Sequence, residues 1–450
     1  MSLKIFIFFT LLLQNFSIAK STTRAEHSYQ IRELLHDAGE CWSTLSVLGQ
    51  FGLKNHFQKK TNAKTFDRYE GMIFINNGTH RQSIHGKFNL IFKENYFTYF
   101  NPSYQNISNL SGNLKVTDSK IFDNKKTYSG IGFENDWAII QIGKGSESWG
   151  SGENIELALS SSSEVYGYFL LGSNYGNLRV KYIHGSLGNI DKNIRRYITA
   201  RGIEWTNKRS FILGFSETVI YSGENRAIDI GYLNPVSSHL EIELNNRLNI
   251  VGDGNANAVW QIHLDYLLKK RYRFSFNYLL DEFVLDPDIE IGKEHGKAFS
   301  LRLSYAPIFN DKQILTLFST LVYVGTPTFR HRSGGNNFIT YQKPLGWYRG
   351  SDGRELIIGL NYSYKKNVLV SSSIGAFESG EESTTNRVFD PYKDYQREKF
   401  PSGKINYGVY LINSIKYSNS KGYSISLKSY WSQNNMINVI LGAPIYPNVK

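Results

Sequence analysis

The strongest constraint on the fold is an alternation of apolar and polar residues with a period of two, which begins near residue 86 and continues almost to the end of the chain. Residues 260–266 show the pattern, because apolar side chains occupy every second position and Gln261, His263 and Asp265 lie between them. After a basic turn the pattern returns in residues 272–278. Successive side chains of a strand point to opposite faces, so each of these strands has one apolar and one polar face.

The character of the two faces favours a membrane barrel over a soluble sandwich, which would also alternate. The apolar face is flanked by aromatic residues and the other face carries charge, as expected of a lipid-facing wall around a polar lumen. If each strand and half of its connections take about 20 to 22 residues, the chain holds roughly 16 to 18 strands. The sequence therefore predicts an all-β fold, a transmembrane outer-membrane β-barrel of roughly 16–18 antiparallel strands with a short N-terminal helical element.

The first residues have the organisation of a signal peptide. Lys4 precedes an apolar run at residues 5–13, and the small residues Ser17 and Ala19 are spaced like a signal-peptidase site, so we expect cleavage after Ala19. No later stretch approaches the roughly 18 to 20 uninterrupted apolar residues that a membrane-spanning helix needs. These features predict an exported chain without a helical anchor.

A short amphipathic helix is predicted at residues 28–38, before the barrel. Ser28 is its candidate N-cap and Gly39 its stop, and its apolar residues lie on one face. We expect this helix to plug or brace the periplasmic end of the barrel; a helix packed on a soluble core is the alternative. The predicted organisation is a signal peptide at 1–19, a periplasmic helical segment at 20–60 and the outer-membrane barrel at 61–450.

Charge and cysteine content restrict the partners. The net charge is +12, which attracts polyanions. Nucleic acid is not expected as a partner of an exported chain, which leaves acidic capsular or exported polysaccharide and outer-membrane lipid; alternatively, the basic residues lie in solvated turns. The single cysteine, Cys41, cannot form an intrachain disulfide, and we expect a monomer.

No catalytic or metal-binding pattern is present in the sequence. His80 and His85 are too isolated to predict a metal site beside a single cysteine. The glycines between Gly143 and Gly152 lack the Lys-Ser or Lys-Thr that completes a phosphate-binding loop. We interpret them as a bend that lets a strand end fold over the lumen. The chain is therefore predicted to be no enzyme and to need no cofactor and no metal.

Two long connections, at residues 328–353 and 377–404, are expected to form the extracellular surface of the barrel. The first combines aromatic rings, which pack on the apolar face of a sugar, with guanidinium groups, which pair with acidic substituents. Alternatively, Trp347 belongs to the interfacial aromatic girdle. The candidate carbohydrate-binding residues are Arg330, His331, Arg332, Trp347, Tyr348 and Arg349.

Several motifs resemble, in order and spacing, those of the Wzi-like capsule assembly family. The first runs from Gln141 through the glycine-tryptophan segment at 149–153 to Ser160. Further stretches are Gly214 to Glu217, Tyr232 to Pro235, Asn255 to Phe283 and Pro344 to Gly353, with Ile31 to Gly39 similar to the family's leading helix.

The resemblance implies an outer-membrane lectin barrel that helps to hold capsular or other exported polysaccharide at the surface of a Gram-negative-type bacterium. It implies no catalysis. The alternative function is that of an outer-membrane porin or solute channel, because Arg273 and Arg302 belong to the predicted polar inner face.

Overall fold

A computed structural model gives the fold of the chain. It describes Asp37 and residues 68–445, with gaps at 79–80, 93–94, 108–126, 136, 189–192, 243–255, 282–294, 332–333, 366, 386–398, 420–421 and 433–434. The signal peptide, Cys41 and most of the predicted leading helix therefore lie outside the described residues.

The described chain is built almost entirely of antiparallel strands. They are β1 (Arg68–Gly78), β2 (Arg81–Phe92), β3 (Tyr96–Asn101), β4 (Ser103–Ile107), β5 (Tyr128–Glu134), β6 (Ala138–Gly145), β7 (Tyr166–Tyr175), β8 (Leu178–Leu187), β9 (Ile194–Thr206), β10 (Phe211–Glu224), β11 (Ala256–Leu268), β12 (Tyr272–Leu280), β13 (Lys297–Phe309), β14 (Gln313–Val324), β15 (Ile339–Thr340), β16 (Lys343–Pro344), β17 (Gly353–Tyr364), β18 (Val368–Ser379), β19 (Asn406–Ser418), β20 (Ser424–Trp431) and β21 (Met436–Ile445). A one-turn helix, α1 (Ile230–Leu233), and a second turn at 239–242 follow β10.

The large sheet closes on itself. Neighbouring strands along the chain pair with each other, except that β15 and β16 form a separate hairpin, β14 pairs with β17, and β3 and β4 both pair with β2. The last strand, β21, pairs with β1 from Gly71 opposite Ile445 to Gly78 opposite Asn438. In the described part of the chain this sheet has 19 strands. Because β3 and β4 both pair with β2, they form one interrupted line, and the ring has eighteen strand positions. This number agrees with the predicted range, and closure leaves no open edge.

The two ends of the barrel differ in their connections. At one end, where β1 begins and β21 ends, every connection has two to five residues; we call it the short-turn end. The opposite end, the long-loop end, carries connections 108–127, 146–165, 188–193, 225–255, 281–296, 325–352 and 380–405, together with two short ones. The two predicted long connections are among these, and the alternation did not reveal the length of the others.

The predicted alternation of faces is confirmed in β11 and β12. Gln261, His263 and Asp265 are at most 3% exposed, whereas Ile262 is 50% exposed. The wall thus buries its polar face and exposes its apolar face, the reverse of a soluble protein. The stretch 86–99, where the alternation begins, is divided between β2 and β3, because the chain reverses between them.

Asp37 lies inside the barrel. This residue of the predicted leading helix is helical and fully buried, and its carboxylate accepts two hydrogen bonds from Arg302 of β13, over 2.9 and 2.6 Å. A charged group from before the barrel thus pairs with the inner wall, as a bracing segment requires.

Candidate functional site

Two long connections fold into the lumen and pack against each other. Residues 146–165 join β6 to β7, and residues 325–352 join β14 to β17. Leu157 and Trp347 belong to one buried apolar cluster, and the Trp347 amide donates to the Leu157 carbonyl over 3.2 Å. We call these two segments the lumenal plug.

Polar side chains of the wall hold the first plug segment through its backbone. Asn277 of β12 makes two hydrogen bonds with the backbone of Ser151, accepting from its amide over 2.7 Å and donating to its carbonyl over 2.8 Å. Ser300 of β13 donates to the Ile155 carbonyl over 2.7 Å. Because these carbonyls and amides are satisfied by the wall, the segment can leave water at little cost.

A single arginine holds the second plug segment. Arg196 of β9 is 1% exposed and donates to the carbonyls of Gly335, Asn337 and Ile339 over 2.6, 2.7 and 3.0 Å. The planar guanidinium distributes its five N–H donors over neighbouring acceptors in a fixed geometry.

Two glycines permit this packing. Gly150 has φ +116°, and a Cβ there would lie 2.5 Å from Asn277 Oδ1. A Cβ on Gly346 would lie 1.7 Å from the Leu157 carbonyl oxygen. The bend predicted at the glycine-tryptophan segment is present, and it is part of the plug.

Several charged side chains of the inner wall form ion pairs. Arg273 of β12 makes a bidentate pair with Asp265 of β11, with distances of 2.7 and 2.9 Å. Further pairs join Arg179 to Glu204 and Lys181 to Glu147. Arg273 and Arg302, whose placement on the inner face was predicted, therefore lie in neutralised, desolvated pairs and are not available as free charges in a channel.

The predicted binding residues do not share one surface. Arg330 is 2% exposed and pairs with Glu382 over 3.0 Å, and Trp347 is 3% exposed within the plug. The expectation that this connection lies on the outer surface is wrong for these two residues, because they pack inside the barrel. Because Trp347 is buried in the plug, it does not belong to the interfacial aromatic girdle. The amide of His331 donates to Asn337, and Arg332 lies outside the described residues.

Tyr348 and Arg349 are positioned differently from Trp347. The Tyr348 side chain is 53% exposed, and its hydroxyl donates to Glu355 of β17. Arg349 donates from Nε to the same carboxylate over 3.0 Å. Its guanidinium carbon lies 4.7 Å from the centre of the Tyr348 ring and 3.5 Å from that of Phe377. The ring is therefore held at its hydroxyl end while its body stays accessible.

Three residues that were not predicted extend this site along the inner wall. Tyr410 of β19 donates to Glu355 over 2.9 Å and stacks on Tyr430 of β20, with ring centres 5.6 Å apart. Lys428 shares the inner face of β20 with Tyr430, since it lies opposite Ser414 where Tyr430 lies opposite Ile412. Unlike the arginines above, Lys428 is exposed.

We call Tyr348, Arg349, Phe377, Tyr410, Lys428 and Tyr430 the lumenal aromatic site. The sequence contained a signal for its strand residues, because Tyr410 and Lys428 occupy the positions between the apolar residues of an alternating hairpin.

The electrostatics of Tyr348 follow from its hydroxyl contact. Burial, and next the nearby Glu355 carboxylate, raise the pKa of Tyr348 above its ordinary value. The hydroxyl therefore stays protonated near neutral pH and continues to donate to Glu355. The site presents a neutral ring, the Arg349–Glu355 ion pair and, on β20, the exposed Lys428.

The described residues contain no group of three or more His, Cys, Asp or Glu side chains that could hold a metal ion. In the same part of the chain, no helix is long and apolar enough to cross a membrane.

The closed ring and the filled lumen can be compared with solved structures. The barrel is similar to that of Wzi. This outer-membrane protein, described as involved in group 1 capsule assembly in Escherichia coli and as a carbohydrate-binding β-barrel, has 11% sequence identity and a TM-score of 0.61, with 84% of this chain and 85% of that chain covered. At this identity the likeness shows the fold, which is that of outer-membrane β-barrels.

Porins of Pseudomonas aeruginosa are more distant. The outer membrane protein OprD has a TM-score of 0.44 at 10% identity, with 86% and 96% of the two chains covered. OccK2 in complex with glucuronate has a TM-score of 0.45 at 9% identity, with 84% and 95% covered. No family model and no curated protein matches the sequence.

Proposed function

We propose that this chain is a Wzi-like outer-membrane lectin, which binds acidic polysaccharide and helps to attach capsule or exopolysaccharide to the cell surface. The observation that carries the proposal is the lumenal aromatic site, an accessible ring held by the Arg349–Glu355 pair together with the exposed Lys428, in a barrel whose fold is similar to that of Wzi. Membrane insertion is supported by the outer wall, which exposes apolar side chains such as Ile262, Leu303, Ile358 and Leu427.

Recognition of an acidic sugar follows from the chemistry of the site. The exposed face of Tyr348 offers a stacking surface for a pyranose ring. Lys428 supplies positive charge for a uronate or another acidic substituent. Arg349, paired with Glu355, positions the Tyr348 ring. Arg330 and Trp347, both buried, support the segment that carries Tyr348. In this proposal the chain is not an enzyme.

A porin remains the second candidate because of the polar inner wall. The lumenal plug argues against a wide channel, since inner-wall residues that bind it, such as Asn277 and Ser300, are completely buried. Conductance in planar bilayers separates the two functions. We expect no steady open-channel current; robust conductance without glycan binding favours the porin.

Replacement of Tyr348 tests the lectin proposal. We expect Tyr348→Ala to weaken binding of acidic polysaccharide to the purified barrel by about tenfold, the effect of losing an aromatic contact of about 1.4 kcal/mol. Tyr348→Phe keeps the ring and is expected to retain most of the binding. Surface retention of polysaccharide in cells should follow the same order.

Lys428→Ala is the second binding variant, and Lys312→Ala is its matched control. Lys312 is an exposed lysine in a turn at the short-turn end, so both variants remove one positive charge. We expect Lys428→Ala to weaken binding several-fold and Lys312→Ala to leave it unchanged. Equal binding by all four variants and the parent would contradict the proposed site.

A further inference from the structure

One long connection folds back over the outside of the barrel. Residues 225–242, which follow β10 and include α1, lie against strands β8 to β11. We call them the strap. Its contacts include Val219, whereas the neighbouring Ile220 belongs to the lumenal cluster. Because alternate residues face opposite sides of the wall, the strap covers the outer face.

The outer wall beneath the strap carries an ion pair. Arg201 of β9, Glu217 of β10 and Trp260 of β11 lie side by side in register. Arg201 Nε lies 3.2 Å from the Glu217 carboxylate. Charges in the middle of a lipid-facing strand are costly, because hydrocarbon cannot solvate them.

Backbone groups of the strap, and the wall beside them, form hydrogen bonds with both members of the pair. Glu217 accepts from the His239 amide over 3.0 and 3.2 Å and from Trp260 Nε1 over 2.9 Å. Arg201 donates to the Asn234 carbonyl over 3.2 Å. The inward side of the strap therefore replaces the solvent that the ion pair would otherwise need.

Aromatic stacking reinforces this contact. Tyr232 of α1 stacks on Tyr221 of β10 with ring centres 4.5 Å apart and an interplanar angle of 15°. The Tyr182 hydroxyl of β8 donates to the Tyr232 carbonyl over 2.9 Å. The strap is thus docked by specific contacts rather than by apolar burial alone.

The opposite side of the strap has the reverse character. Its exposed apolar residues include Ile230 at 82% and Val236 at 85%. The charges near its start, Arg226 and Asp229, pair with each other over 3.2 Å. From residue 227 to 240, Asn234 is the single exposed polar residue.

This outward side continues the apolar surface of the bare wall. The next outward row toward the short-turn end consists of Ile203, Phe215 and Ile262, which are paired across β9, β10 and β11 and are each 44% to 50% exposed. This apolar surface runs from the wall to the strap, with Asn234 and Glu241 as exposed polar residues. Lipid is the environment that matches it if the wall itself faces lipid.

We propose that the strap is a membrane-embedded element: its outward side contacts the acyl chains of the lipid bilayer while its inward side insulates the Arg201–Glu217 pair from them. This inference rests on the proposed location of the barrel in a membrane. The partner that fits the exposed surface is hydrocarbon, because the surface combines branched apolar side chains with an absence of exposed charge between residues 227 and 240.

Collision accessibility of spin labels tests the proposal. The full chain with Cys41→Ser receives a single nitroxide-labelled cysteine at Ile230 or Val236 and is reconstituted into phosphatidylcholine vesicles. Ile262 on the bare wall is the lipid reference, and Lys312 in a turn is the water reference. We expect oxygen to increase the relaxation rate of both strap labels and a water-soluble nickel chelate to leave it unchanged, as for the Ile262 label.

Two results overturn the proposal while leaving the membrane location intact. If collisions with the nickel chelate increase the relaxation rate of the strap labels as much as that of the Lys312 label, the strap lies in water. If they are protected from both reagents, protein covers them, such as a second copy of the chain. If the Ile262 label is accessible to the nickel chelate, the bare wall does not face lipid. That result contradicts the membrane location of the barrel, and with it the inference about the strap.

Discussion

The lumenal plug and the strap are both long connections that turn back onto the wall, and they go to opposite sides of it. The plug enters the polar lumen and packs apolar residues such as Leu157 and Trp347 against each other. The strap lies on the apolar exterior and places its polar contacts against the wall, leaving Ile230 and Val236 outward. Each segment therefore places its polar groups against polar or charged residues of the wall. The apolar residues of the plug pack against each other, and those of the strap face away from the wall.

The comparison explains why one barrel can bury charges on both faces. Inside, Arg273 and Asp265 come from adjacent strands and neutralise each other across the ladder. Outside, Arg201 and Glu217 also come from adjacent strands, but the pair is completed by backbone groups of the strap. The outer pair is thus covered by a segment that lies on it, whereas the inner pair is formed by two residues of the wall alone.

The largest expected effect comes from separating the two halves of the plug. Gly346→Ala places a Cβ against the Leu157 backbone, and no flexible side chain is available to move away. We expect a loss of at least about 3 kcal/mol in the free energy of unfolding, the upper range for overpacking, measured by urea titration of the refolded barrel in detergent.

Gly167→Ala is the matched control for this substitution. Gly167 lies in β7, and a Cβ there would meet nothing within 4 Å. We expect its effect to stay within about 0.5 kcal/mol, as for an ordinary surface substitution. Equal stability of the two variants would show that the plug segments do not pack as closely as their contacts indicate.

The next effect concerns the strap. Glu217→Ala leaves Arg201 covered without its carboxylate and removes the acceptor of the His239 amide and of Trp260 Nε1. We expect a loss of about 2 kcal/mol, somewhat below the usual cost of breaking a fully buried pair. Limited proteolysis should also cut between residues 225 and 242 faster than in the parent.

Glu378→Ala is the control for the strap variant. Glu378 pairs with Arg354 at 2.7 Å, but both side chains are 39% or more exposed. An exposed pair contributes roughly 0 to 1 kcal/mol, so we expect little loss and no faster cleavage of the strap. Should Glu217→Ala behave in the same way, the strap is not held by the ion pair.

The alternation of residues was sufficient to predict the wall. In residues 260–266 and 272–278 every second side chain is polar, and a period of two assigns each of them to a face without knowledge of the rest of the chain. The long connections have no such period. Trp347 and Tyr348 are neighbours in sequence, yet one is buried and the other is half exposed.

The side to which a connection folds depends on partners far away in sequence. Trp347 packs inside the barrel because it contacts Leu157 and the rest of the plug, and Arg330 because it pairs with Glu382. The strap binds the outer face at Glu217, a charged residue among apolar ones. That exception to the alternation was visible in the sequence and could have marked the docking point. The residues of the strap that meet it could not be identified from local pattern.

The smallest expected effect distinguishes the inside of the barrel from the outside by tryptophan fluorescence. Brominated acyl chains quench tryptophans that contact lipid. Trp205 is 45% exposed on the outer wall, whereas Trp347 lies in the plug with Nε1 unpaired. In vesicles of brominated phosphatidylcholine, Trp205→Phe should lower the quenched fraction of the emission and Trp347→Phe should raise it. Each variant removes one of seven tryptophans, so the shifts are small but opposite in sign. A decrease with Trp347→Phe would place that ring in the lipid-facing girdle and would contradict the inward fold of the plug.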